Sequence, residues 1–169
     1  MKKFLFIAII FAMVSMSAFS QETKKETKAE KQAKQDSLIR QLVESQDYDF
    51  VAQSAIPTGG RTLQLTSDYT LKVRKDSLIA DLPYYGKAFT ADIGGTGGGI
   101  TFKTTDFSYE KKDGKKGSWD ITIKPKDVTS TNQMSLHISS AGYASIMVMS
   151  NSRENISFYG YIRPKKYGR

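Results

Sequence analysis

The chain has 169 residues, enough for one domain, with 39% hydrophobic and 11% aromatic residues and a formal net charge of +8. It contains no cysteine. That excludes disulfides, thiolate nucleophiles, zinc–thiolate centres and a lipid anchor on an acylated cysteine.

Residues 1–20 have the layout of a secretory signal peptide. Lys2 and Lys3 form a positive start, Phe4 to Val14 is an unbroken apolar run, and Ser15 to Ser20 is rich in small residues. Ala18 and Ser20 are spaced for cleavage before Gln21. A bilayer span needs roughly 20 apolar residues, so this run is too short for one. The expected destination is periplasmic or secreted. Without Lys2 and Lys3 the 25 basic residues fall to 23 against 17 acidic ones, a net charge of +6. The basic residues gather in the N-terminal lead-in, at Lys111, Lys112, Lys115 and Lys116, and from Arg163 to Arg169. An exported chain rarely meets nucleic acid, so none is expected as a partner. A loose contact with acidic envelope polymers stays open.

Residues 21–46 form a polar lead-in and helix. The stretch 21–35 has almost no apolar side chain beyond alanine, which fits either disorder or a solvated helix. Glu30 and Lys34 have helix-favouring spacing. Leu38, Ile39, Leu42 and Val43 then make one apolar stripe, so a helix ending near Ser45 is expected to dock on the domain.

Residues 47–164 read as an antiparallel β domain, followed by a basic tail at 165–169. Tyr48, Phe50 and Ala52 alternate with polar neighbours before Pro57, Gly59 and Gly60 break the run. Leu63 and Leu65 follow, then a Ser67–Asp68 turn and Tyr69, Leu71 and Val73. Lys75–Asp76 turns the chain into Leu78, Ala80 and Leu82. Ile100 and Phe102, then Phe107 and Tyr109, lead to the hairpin signal Asp113–Gly114. Trp119, Ile121 and Ile123 alternate cleanly, as do Met134, Leu136 and Ile138. Tyr143–Met149 and the run Ile156, Phe158, Gly160, Ile162 end the domain. This predicts nine to eleven short strands in a meander that closes into a barrel or packs as a sandwich. With no helices between strands, βαβ units and their cofactor sites are not expected. Runs of five to seven residues with charged outward positions are too short for an outer-membrane barrel.

No motif supplies chemistry. Gly94 to Gly99 precedes the strand Ile100–Lys103 and lacks the Gly-Lys-Ser/Thr of a phosphate loop. His137 is the only histidine, whereas metal sites and triads use several such groups. Asp47 and Asp49 lack the remaining ligands of a calcium loop. No catalytic residue, metal or cofactor is expected. Asn155-Ile156-Ser157 matches the short glycosylation pattern, whose use depends on the host. Leu82-Pro83-Tyr84-Tyr85-Gly86 is the most distinctive segment. Its tyrosines suit a strand-ending corner packed on the core, or a pocket rim where an apolar body with a polar tip meets a ligand. The candidate ligand-binding residues are Tyr84, Tyr85 and Phe89.

That segment, with Ser67-Asp68-Tyr69, Asp76-Ser77-Leu78, Trp119-Asp120-Ile121, Ser139 to Ala144 and Ile156 to Tyr161, resembles the domain of unknown function 4251 family over roughly residues 47–163. The resemblance implies an exported protein of a Bacteroidota bacterium and brings no activity or catalytic residues with it. Three functions therefore stand as expectations. The first is a binding module whose curled sheet holds a small apolar or amphipathic ligand. The second is an envelope protein that meets another protein or a surface polymer through a sheet face or its basic helix. The third is a hydrolase using a pair of carboxylates in one cleft.

Overall fold

The computed structural model describes residues 27–89 and 98–166. The signal-type segment, Gly94 to Gly97 and the last three residues lie outside them. A helix, α1, covers residues 27–45. Nine strands follow: β1 (Tyr48–Pro57), β2 (Leu63–Val73), β3 (Leu78–Leu82), β4 (Ile100–Thr104), β5 (Phe107–Asp113), β6 (Trp119–Pro125), β7 (Gln133–Ile138), β8 (Tyr143–Met149) and β9 (Ile156–Pro164).

All pairings are antiparallel and form one sheet in the order β4-β3-β2-β1-β9-β8-β7-β6-β5. The edge strands β4 and β5 are consecutive in the chain, only two residues apart. The two end strands therefore join at one corner, and the meander becomes a nearly closed barrel rather than a sandwich. At the corner, the buried Thr104 hydroxyl bonds the Asp127 carboxylate and accepts the Asp106 N–H at 3.0 Å.

Alternation puts one apolar set inside. Trp119, Ile121 and Ile123 of β6 face in, as do Met134, Leu136 and Ile138 of β7, and Ile146 and Val148 of β8. Tyr48 and Phe50 fill the interior from β1.

The helix caps one end. Ile39, Leu42 and Val43 are buried, and the Arg40 guanidinium lies 5.9 Å from the Trp119 ring centre. Leu38, expected in the same stripe, is exposed, because it lies one residue off the docked face. Gly142, in the β7–β8 turn, has φ +91°, and a Cβ there would sit 2.6 Å from Ile39 Cδ1. Only glycine meets both demands. Gln46 takes φ +53° to end the helix, with bonds from Gln46 N to Val43 O and from Asp47 N to Leu42 O in the Schellman pattern.

The next turn is clamped by Arg74. Its guanidinium donates to the carbonyls of Tyr48 (2.8 Å) and Val73 (2.7 Å) and to Asp49 Oδ1 (2.6 Å), and its Nε lies 3.2 Å from Asp47. The expected Ser67–Asp68 turn is instead part of β2. That strand pairs Gln64 with Ser54 and Tyr69 with Ala52, so the intervening residues bulge within one strand.

Two tyrosines make the fold sensitive to alkali. Tyr48 is fully buried and its hydroxyl lies 3.3 Å from that of Tyr109. Burial pushes both phenols above their ordinary value of 10.0, and for Tyr48 the neighbouring Tyr109 adds to the rise. The native state thus keeps protons that the unfolded chain releases. Stability is fully present below pH about 10 and falls above it, by about 1.4 kcal/mol per pH unit for each phenol. Urea midpoints measured from neutral to alkaline pH should show this fall, and Tyr48→Phe should make it shallower.

Candidate functional site

Among the described residues, large buried side chains line the barrel interior. They are Ile, Leu, Phe and Met from almost every strand, and the cavity beside Tyr84 and Ile100 measures about 10 Å³, at the limit for one water.

The three sequence-nominated residues lie at the barrel end away from α1. The segment after β3 runs beside the β8–β9 turn, with Phe89 N bonded to Ser152 O and Glu154 N to Lys87 O. Tyr84 is half-buried. Its hydroxyl reaches Lys87 O (2.8 Å) and Glu154 O (3.0 Å), and Arg153 stacks 5.0 Å from its ring centre. Arg153 also donates to the carbonyls of Gly98 and Gly99. Tyr84 therefore fastens this crossing. Tyr85 and Phe89 are exposed, 46% and 66%, on the same segment. Among the described residues the three share one segment, with Tyr84 fastening the crossing and Tyr85 and Phe89 exposed on it.

A second region, on the outer face of the sheet, has the size of a ligand site. A groove of about 500 Å³ is lined by Gln53, Ser54, Gln64, His137, Tyr143 and Tyr159, with Ser139 and Ser145. Cross-strand register builds it. Asp120, His137, Ser145, Tyr159, Ser54 and Gln64 pair in sequence across β6, β7, β8, β9, β1 and β2. A bulge in β1 supplies the extra residue: Ala52 faces Gly160 and Ser54 faces Tyr159, leaving exposed Gln53 between them. The same bulge resets the phase of β1, so that Ser54 faces the groove and Ala55 the core.

The floor is shallow backbone at Ala144 and Gly160. A Cβ on Gly160 would lie 2.9 Å from the Val51 carbonyl carbon and 3.2 Å from Ala52 Cα. Glycine here lets β9 press against β1. Two exposed rings border the groove, Tyr143 (70%) and Tyr159 (51%), with Met147 (44%) in the adjoining row. His137 Nδ1 lies 2.7 Å from Asp120 Oδ1, which leaves the other ring nitrogen for a ligand.

The next groove on the sheet is different. Asp49, Asp68, Lys72, Arg74 and Arg163 line it, and its carboxylates are engaged as counter-ions: Asp49 with Arg74, Asp68 with Arg163 and Lys166. Among the described residues no cluster of three or more His, Asp or Glu side chains has a metal-holding arrangement.

Tyr143 and Tyr159 stand in no sequence motif for binding, and a single histidine gives no metal or triad pattern. The available signal was compositional. Outward positions on β7, β8 and β9 carry Ser, His, Tyr and Met where a purely solvated face carries Lys and Glu.

A family model described as a domain of unknown function, DUF4251, matches residues 29–162. The chain belongs to the DUF4251 family. The match begins within α1, so the DUF4251 domain takes in the docked part of the helix as well as the barrel. A crystal structure of a DUF4251 family protein from Bacteroides eggerthii DSM 20697 is similar in fold, with a TM-score of 0.58 and 16% identity over 79% of this chain and 91% of that chain. No curated protein matches the chain. Among the described residues, no helix is long and apolar enough to cross a membrane.

Proposed function

We propose that the protein is an exported binding module, periplasmic or secreted, that holds its partner on the outer face of the barrel rather than inside it. One contrast carries this reading: an interior lined by large buried side chains beside a built, ligand-sized groove whose rim exposes two tyrosines. Exposed aromatic side chains gathered on one face are a common mark of a contact surface. Export is supported by the charged start, apolar run and small-residue stretch of residues 1–20. The partner is an envelope component, either a polymer or a protein.

The test is fractionation of the native host after replacing the gene with a Tyr143→Ala/Tyr159→Ala form. The wild-type chain should stay with the envelope fraction, and the variant should be released into the soluble fraction at least about tenfold more, the consequence of losing two ring contacts. The variant's thermal midpoint should match wild type, since both rings are exposed. Identical fractionation of the two forms would sink the outer-face reading. An intact mass beginning at Gln21 would establish processing, and a mass that retains Met1 would refute it.

A further inference from the structure

Resting on that reading, we propose that the groove takes a neutral saccharide chain, laid across strands β7, β8, β9 and β1. The argument starts from what the face lacks. The chain as a whole carries 25 basic and 17 acidic residues. Yet in the cross-strand row through His137, Ser145, Tyr159, Ser54 and Gln64 the charged groups gather at one end, where His137 meets Asp120 and, beyond it, Lys112 of β5. The adjoining row, Thr122, Ser135, Met147, Ser157 and Ile56, is uncharged until it reaches Glu110 on β5. Lysines and arginines concentrate in other rows, such as Arg163, Asp49 and Lys72. Nucleic acid and anionic polymers need cations along the groove to replace released counter-ions. This groove has none among its lining residues.

The chemistry present matches a hydroxyl-rich, uncharged ligand. Sugar rings have C–H faces that pack on an aromatic ring and hydroxyl edges that both donate and accept. Tyr143 and Tyr159 sit on neighbouring strands at diagonal positions, because Tyr143 pairs with Tyr161, two residues beyond Tyr159. Such neighbours lie about 7–8 Å apart, so two rings serve one continuous chain. Between and beside them are groups that donate and accept: the amides of Gln53 and Gln64, the hydroxyls of Ser54 and Ser145, and the imidazole oriented by Asp120. A protein partner would instead favour an apolar, well-packed centre. Here the centre is serine hydroxyls and backbone at Ala144 and Gly160, open along its length.

Isothermal titration of the full chain tests the assignment. The probes are linear β-glucan, α-glucan and β-mannan oligomers of increasing length, with oligogalacturonate as the charged counterpart. At least one neutral series should bind, with affinity that rises with chain length and stays constant as salt is raised. Tyr143→Ala and Tyr159→Ala should each weaken binding by about tenfold, while Tyr159→Phe, which keeps the ring, should stay within about twofold. Lys72→Ala, in the neighbouring charged groove, should change nothing. Failure of all neutral series, binding of the charged oligomer alone, or affinity that survives both alanine substitutions would overturn the saccharide assignment. Sedimentation of the same samples keeps the two proposals apart. Self-association abolished by the tyrosine substitutions would give the groove to a second copy of the chain. That overturns the sugar and leaves the outer-face reading standing. Unchanged envelope association in the double variant would remove the outer-face reading itself.

Discussion

Gly160→Ala should cost about 3 kcal/mol or more and lower the thermal midpoint by about 10 °C. The reason lies in the backbone. Gly160 faces Ala52 on β1 and Ala144 on β8, and a methyl group there would press on the main chain at Val51 and Ala52. A flexible side chain could turn away from such a contact, but a hydrogen-bonded strand cannot. Relief requires β1 and β9 to separate at the bulge, which breaks ladder bonds on the seam that joins the first and last strands. Thermal unfolding followed by circular dichroism reads the effect directly. A midpoint within a degree or two of wild type would mean that the bulge absorbs the methyl group.

Arg74→Met should cost about 3 kcal/mol, because it strands the Asp49 carboxylate. Asp49 is 2% exposed and Arg74 14%, so water does little to replace the lost partner. The same substitution removes donors from the Tyr48 and Val73 carbonyls, where α1 enters the barrel. Adding Asp49→Asn should recover a large part of the loss, since a neutral amide tolerates the site better than an unpaired charge. A double-mutant cycle in urea separates the two contributions. If the double variant is as damaged as the single one, the carbonyl contacts rather than the ion pair hold the joint.

Much of the barrel is legible in the chain. Trp119, Ile121 and Ile123, or Met134, Leu136 and Ile138, show their inward face by alternation alone, since a buried sheet face repeats every two residues. Register is another matter. Alternation assigns faces and says nothing about which strand lies beside which. The pairing of β1 with β9 follows from long-range packing. The bulge at Gln53 leaves only a faint trace, the shift of apolar positions from Phe50 and Ala52 to Ala55 and Pro57. Leu38 and Ile39 both fit a broad helical stripe, and only docking chooses between them. The groove was hidden for the same reason as the register. Tyr143, His137, Tyr159, Ser54 and Gln64 lie far apart in the chain and meet only across five strands. Tyr84, conspicuous between Pro83 and Gly86, is conspicuous because a tight crossing needs such residues.

The seam between β1 and β9 also sets an order of events. The first strand synthesised pairs on one side with the last, so Tyr48 waits for Pro164. Contacts of such long sequence separation form late and slowly. Until the ninth strand is available the sheet has two open edges and an uncovered apolar face, and the chain has no closed state to fall into. A ribosome-bound or partly synthesised chain of this fold is therefore held open by its own connectivity. For a protein proposed to leave the cell, that delay keeps the polypeptide threadable until passage is complete, with the last strand arriving as the closing stave.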